Sequence, residues 1–453
     1  ESPHFQLSDQ DIHMKTISIS LAAMAAALSA VPVAAQEMDH SQMNHGTGES
    51  EEICLAYGVR MIWSQGSGSS RLPGQEGTMG GDPRCFPPAS PHPPGGLHIM
   101  PGDGWMLMAH GWAQANYTDH KGPRGDNKLY ATSMAMLTAQ KSFGGAKLEL
   151  RSMLSLEPAM APQGYPNLFA TGETAYGEPL VDRQHPHDLF MELAMRVDVD
   201  VASGTSVFLY GGPVGEPALG PSAFMHRGSA GNNPEPPISH HWFDSTHITY
   251  GVVTTGISSS RWQIEASAFR GAEPDERRWN IETPKLDSWS VRATWNPNHR
   301  WSAQVSHGFI KEPEATHGGE NEHRTTVSVH YANSRLKAMA AFSAKNRDPG
   351  DTLTAWLAEA NYDLSNHHKL FARVENVKND ELFPDHADPL HDTPFRVTKL
   401  QGGYAWTTPL GGGPFNLSVG GSVSAYIKPH ALDAAYGAHP WGYTVFTRLS
   451  LGH

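Results

Sequence analysis

Leu189-Phe190-Met191-Glu192-Leu193-Ala194-Met195-Arg196-Val197-Asp198-Val199-Asp200-Val201 is the stretch that decides the fold. In an extended chain, Leu189, Met191, Leu193, Met195, Val197, Val199 and Val201 share one face. Glu192, Arg196, Asp198 and Asp200 share the other. Alternation with a period of two belongs to a strand. The run also exceeds the roughly ten residues that carry a strand across a membrane.

The same pattern recurs along the chain. Trp262, Ile264, Ala266 and Ala268 oppose Arg261, Gln263, Glu265 and Ser267. Trp289, Val291, Ala293 and Trp295 oppose Ser288, Ser290, Arg292 and Thr294. Phe415, Leu417, Val419, Val423 and Ala425 oppose Asn416, Ser418, Ser422 and Ser424. A soluble half-buried strand reads identically, so the connections must discriminate. About sixteen segments are expected, at 104–118, 128–143, 146–157, 188–202, 206–217, 244–257, 261–271, 285–296, 300–311, 322–333, 335–346, 352–363, 367–378, 394–407, 414–427 and 440–451. Short turns, such as Gly144-Gly145 and Gly411-Gly412-Gly413, alternate with long loops, the longest at 158–187 and 218–243. That rhythm marks a transmembrane β-barrel. A soluble sheet rarely needs so many strands. The expected fold is all-β: an antiparallel up-and-down barrel of about 16 strands over 104–453, preceded by a disordered tail. An even count puts both ends of the barrel in the periplasm.

The polar faces then point into the lumen, with Glu149, Arg151, Glu192, Arg196, Asp198, Glu265, Arg292, Arg324, Arg373 and Glu375. Trp105, Tyr117, Trp262, Trp289, Trp301, Tyr404, Trp406, Trp441 and Tyr443 fall near strand ends, as membrane-interface girdles do. The last strand departs from the usual aromatic terminus and closes on Leu451-Gly452-His453.

The chain has 453 residues and a formal charge of −13, with no Lys/Arg-rich run. That excludes nucleic acid as an expected partner. The 26 His nearly match the 33 Lys and Arg, and 17 Met accompany them, so metal-ligating side chains are abundant. Residues 14–35 read as a signal peptide: Lys15, an apolar run from Ile17 to Val33, and the small cleavage site Val33-Ala34-Ala35 before Gln36. A membrane anchor is the alternative, but the run is short for one. Residues 1–13 read as extraneous upstream sequence. Export and a strand-based span place the chain in a Gram-negative outer membrane.

Residues 36–103 read as a disordered tail and a Gly/Pro-rich linker, with the linker covering 46–100. Met38, His40, Met43 and His45 alternate soft sulfur with imidazole, a set suited to copper; a polar tail without a ligand is the alternative. Cys54 and Cys85 lie outside CxxC spacing and can form a disulfide if the chain is exported.

Three segments should meet at the outer ends of neighbouring strands. Asp182-Arg183-Gln184-His185-Pro186-His187-Asp188 leads into the fourth strand. Gly211 to Arg227 leaves the fifth, and His240-His241-Trp242-Phe243-Asp244-Ser245-Thr246-His247 leads into the sixth. His185, His187, Asp188, His226, His240, His241, Asp244 and His247 would then form one nitrogen/oxygen cluster for Cu(II), Zn(II) or Ni(II). An equal alternative is bracing, with Arg183 and Arg227 paired to Glu216 and Asp188. A later group, Asp385, His386, Asp388, His391 and Asp392, reads as a solvated loop.

These motifs, DRQHPHD at Asp182–Asp188, GGPVGEPALGPxAFMHR at Gly211–Arg227, HHxxDSTHI at His240–Ile248 and the segment Arg270–Trp279, resemble an uncharacterised family of outer-membrane barrels associated with bacterial copper and heavy-metal resistance loci. The resemblance covers nearly all of 104–453. The role is also similar to that of copper-resistance protein B, a barrel with a Met/His-rich N-terminus. The resemblance implies binding or transport of copper or a related ion such as zinc, nickel or cobalt. It also implies periplasmic metal-resistance proteins as partners, beside outer-membrane lipid and lipopolysaccharide. Similar chains often carry a Cys/His metal segment ahead of the barrel; Cys54 and Cys85 match it poorly.

Three functions compete. The first is a metal-resistance barrel. The second is a general or substrate-specific porin, which the polar lumen supports without a metal. The third is a membrane-embedded hydrolase using His247 with Ser245 or Ser239. The sequence has no GxSxG and no triad spacing, so we expect no enzyme and no organic cofactor.

Overall fold

The computed structural model of the protein describes residues 62–76 and 96–452. Sixteen antiparallel strands close a single barrel. In chain order they are β1 Trp105–Lys121, β2 Asn127–Phe143, β3 Ala146–Leu154, β4 Phe190–Ala202, β5 Thr205–Gly215, β6 Thr249–Ser259, β7 Trp262–Phe269, β8 Ser288–Asn298, β9 Trp301–Ile310, β10 Asn321–Ala332, β11 Leu336–Asp348, β12 Thr352–Asp363, β13 His368–Asn379, β14 Phe395–Pro409, β15 Phe415–Ile427 and β16 Trp441–Leu451. Each strand pairs with the next, and β16 pairs with β1 from Trp441↔Lys121 to Leu451↔Gly111. Each segment expected from the sequence holds a strand, and short turns alternate with longer loops; the one expected over 244–257 begins only at Thr249, because Ser245–His247 is a 3-10 turn. Leu97–Gly102 folds back along the start of β1, with His98 opposite Met108.

The alternation is inverted relative to a soluble sheet. In β8, Ser288, Ser290, Arg292 and Thr294 are buried in the lumen, while Trp289, Val291 and Trp295 are exposed on the outside. Leu129, Ile264, Trp356, Val423 and Val445 continue that apolar exterior around the wall. Apolar surface on this scale is stable against hydrocarbon, not against water. Trp262 sits directly opposite Trp295, and Trp301 packs on Tyr331 at the short-turn end. Trp289, Trp441 and Tyr443 lie towards the long-loop end. These two belts are the expected aromatic girdles. No helix among the described residues is long and apolar enough to cross a membrane.

One face assignment is corrected. Register slips between Phe190 and Glu192 against β3, and between Leu193 and Met195 against β5. Such a slip inserts a residue and flips the faces before it. Leu193, Met195, Val199 and Val201 point out as read, but Met191 turns inward against Met134, Met136 and Met153.

The linker expected over 46–100 is also corrected. Within it, Trp63–Gln65 pairs with Arg71–Pro73 as a hairpin buried inside the lumen. The wall matches several of its polar groups. Gln65 Nε2 donates to Glu149 at 2.9 Å, Arg151 Nη1 donates to the Gly68 carbonyl at 2.7 Å, and Gln263 Nε2 donates to the Ser69 carbonyl at 2.8 Å. Arg71 lies 4.0 Å above the Trp63 ring and donates to Gln263. Contacts to Ser258, Asn296, Ser302 and His299 seat the hairpin at the short-turn end. The signal segment 14–35, the Met38–His45 motif, Cys54 and Cys85 lie outside the described residues.

The loops between β3 and β4 and between β5 and β6 fold into the lumen from the other end. Leu168, Phe169, Ile238, Trp242 and Phe243 form an apolar core with Met339, Leu353, Leu357, Val377 and Val397 of the wall. The second loop crosses the whole lumen. Its Gly220 carbonyl accepts from Arg292 of β8, and its Glu235 pairs with Lys399 of β14 at 2.8 Å.

Candidate functional site: a polyhistidine cluster inside the barrel

The two inward loops carry the cluster. Asp182 sits at φ 62° and its carboxylate accepts from the Phe169 N–H at 2.7 Å, so the loop turns back on itself. Arg183–Gln184 then pairs with Tyr165–Pro166, which directs His185 and His187 into the lumen. In the second loop, His240–Phe243 is one helical turn, and a 3-10 turn at Ser245–His247 follows. The i,i+4 spacing lets Asp244 Oδ1 meet His240 Nδ1 at 3.0 Å.

Five imidazoles converge and all are buried. Ring centroids are 6.1 Å apart for His185–His240, 5.3 Å for His240–His241, 5.0 Å for His240–His247 and 5.4 Å for His187–His247. His185, His240 and His241 each offer a ring nitrogen within 4.8 Å of the others. Carboxylates stand behind the rings. Glu173 lies 3.2 Å from His185 Nε2, Glu157 2.8 Å from His187 Nδ1, and Glu273 3.3 Å from His241 Nδ1. Imidazole backed by carboxylate is how proteins orient metal-binding histidines.

The charge states divide accordingly. Burial holds His185 and His247 well below the usual imidazole range, helped by Arg278 at His185 and by His240 at His247. Burial also lowers His240 against the pull of Asp244. At His241 burial is outweighed by Glu273, Glu314 and Glu173, which lift the ring to about 9. Burial is likewise overcome at His187, which Glu157 raises. Glu173, largely because of burial, is pushed up to about 7.

The expected rim is therefore partly assembled. His185, His187, His240, His241 and His247 come together, with Asp244 as the support of His240. Asp188 instead pairs with Arg278 at 3.1 Å and accepts from Tyr250 at 3.0 Å. His226 points elsewhere, with Nε2 3.1 Å from the Met153 sulfur. The expected bracing network is corrected too. Arg183 pairs with Asp126, and Arg227 pairs with Asp244 at 2.9 Å and Glu359 at 2.8 Å. Glu216 is buried, and its backbone N–H donates to the Tyr210 hydroxyl at 3.2 Å. Within the lumen, Glu192 accepts from Tyr210, Arg196 clasps Asp198, and Arg292 pairs with Glu265 at 2.9 Å. In the later loop, His391 Nδ1 lies 2.9 Å from the Phe383 carbonyl.

Sequence reasoning missed the carboxylates. Glu157 and Glu173 lie in the long loop before β4, and Glu273 lies in the Arg270–Trp279 segment already singled out. A second group, Glu314, His317 and Glu381, also brings potential ligand atoms within 4.8 Å. A cavity of about 50 Å³ lies under His187, lined by Trp112, Met134, Met225 and Arg448, with room for a few waters or an ion. The two serines considered for hydrolysis are engaged otherwise: Ser239 Oγ donates to Glu375 and Ser245 Oγ accepts from Arg324.

The closed barrel with a polar, charged lumen defines the class: a porin-type transmembrane β-barrel. No family model and no curated protein matches the sequence. Among solved structures, the chain is similar to Salmonella typhi OmpF in complex with daunomycin, at 10% identity and a TM-score of 0.52, over 78% of this chain and 100% of that one. It is also similar to the anion-selective porin from Comamonas acidovorans, at 11% identity and a TM-score of 0.49, over 76% and 99%. The outer membrane channel DcaP of Acinetobacter baumannii gives 11% identity and a TM-score of 0.46, over 78% and 99%. The likeness to OmpF is one of fold.

Proposed function

We propose that the protein is an outer-membrane, porin-like barrel that passes small polar solutes or ions through a constricted lumen. The carrying observation is the lumen itself, walled by charged side chains yet filled by the 62–76 hairpin and two inward loops. A wide general pore needs open cross-section, so the substrate-specific form of the porin reading is favoured. The N-terminal tail would lie in the periplasm. Planar-bilayer recording on the full chain tests this. Small, discrete, ion-selective conductances are expected; a silent barrel under all applied voltages and salts would reject it.

A second reading is supported by the buried trio His185, His240 and His241 with its carboxylate backing. These residues would hold a borderline cation such as Cu(II) or Zn(II). This also fits the resemblance to barrels of heavy-metal resistance loci. Calorimetric titration with Zn(II) tests it. Binding should weaken at least tenfold in His240→Gln; equal affinity would reject the reading.

A further inference from the structure

A different set of ligands lines the lumen wall beneath the cross-lumen loop. His110 of β1 stands opposite Met136 of β2, and Met136 stands opposite Met153 of β3. The three therefore form one row across three neighbouring strands. Met108, Gln114 and Asn116 of β1 are buried, and His110 shares their inward parity. Met136 and Met153 belong to the same buried cluster. The loop supplies the fourth member, since His226 Nε2 lies 3.1 Å from Met153 Sδ.

The bland account is that the methionines fill space, which flexible thioethers do well. It does not explain His110. Both its ring nitrogens are sealed from solvent with no hydrogen-bond partner. A wall otherwise rich in Gln, Asn, Thr and Glu could have matched a polar ring, as Glu149 matches Gln65 and Gln263 matches the Ser69 carbonyl of the hairpin. Sealed polar atoms of this kind call for a partner, an ordered water or an ion. Their neighbours here are thioethers, whose sulfur prefers soft cations.

We propose that His110, Met136, Met153 and His226 form a site for a soft monovalent cation of the Cu(I) and Ag(I) type. The site shares no residue with the polyhistidine cluster, so it stands or falls apart from the Zn(II) reading. Two thioethers and two imidazoles match a d10 monovalent ion. Borderline divalent ions should prefer the nitrogen and carboxylate groups near the loops.

Ag(I) is the probe, because it needs no reductant. The full chain is used with Met38→Leu, His40→Gln, Met43→Leu, His45→Gln, Cys54→Ser and Cys85→Ser, so that neither the N-terminal motif nor a thiol contributes. Calorimetric titration should show one tight Ag(I) site. Met136→Leu with Met153→Leu conserves volume and should weaken it at least tenfold, leaving Zn(II) binding unchanged. Unchanged Ag(I) affinity in that variant overturns the proposal. X-ray absorption of the Ag(I)-loaded parent gives a readout that needs no folded variant. Sulfur in the first coordination shell is expected, and a shell of nitrogen and oxygen alone overturns it.

Discussion

Arg227 and Asp244, 17 residues apart in one loop and both buried in the lumen, are joined by a guanidinium–carboxylate pair at 2.9 Å. Arg227 also reaches Glu359 on β12 at 2.8 Å, and Asp244 orients His240. One cation thus ties the loop to the wall and to the histidine cluster. Removing one partner of a buried pair strands the other charge and costs about 3–5 kcal/mol. Arg227→Met should lower the temperature at which the folded barrel converts to the unfolded form in detergent. Arg227→Lys should restore little, because a point charge cannot serve both carboxylates in the geometry of a guanidinium. An unshifted conversion temperature in both variants would show that the pairs do not hold the loop.

Glu216 carries a pH dependence. Burial pushes its carboxyl up to about 8, despite the neighbouring Ser67 hydroxyl and the charge of Arg292. The folded value lies above the unfolded one of about 4.3. The stability it contributes is therefore complete below about pH 4.3 and is lost as pH rises through 8. Thermal unfolding at pH 5, 7 and 9 should show that decline in the parent and a flatter profile in Glu216→Gln. Parallel profiles would count against a buried, protonated Glu216.

The hairpin at 62–76 narrows the short-turn end of the lumen. Excising 62–76 should raise single-channel conductance several-fold while leaving the barrel folded, because the strand ladder does not include it. Equal conductance with and without the hairpin would place the constriction in the loops alone.

Gly172 adopts φ 106°, and a Cβ there would sit 2.6 Å from the His241 ring. Gly172→Ala both strains the backbone and displaces that imidazole. Zn(II) affinity should fall at least tenfold, with Ag(I) binding at the methionine row unaffected. Parental Zn(II) affinity would remove His241 from the ligand set.

Much of the barrel was legible because a membrane span leaves little choice. Each strand must present apolar side chains to lipid and polar ones inward, so β8 and β4 announce themselves by period alone. The bulge before Leu193 was not legible, since a single inserted residue leaves the composition of both faces plausible. The histidine motifs were legible as a group because their three segments flank the consecutive strands β4, β5 and β6. Their partners were not: Glu157 and Glu173 gain meaning only when their loop folds inward.

The sequence by itself determined the strand count, the turn rhythm and the lipid-facing surface, because these depend on local alternation and on the solvent. Tertiary structure alone decided what fills the lumen. The polar and Gly-rich stretch 62–76 has no periodicity to announce a buried role, and it becomes a hairpin only by matching its backbone to Arg151, Gln263 and Asn296. Likewise His226 left the company of His240 for Met153, because the loop between them is anchored by Arg227 and Asp244.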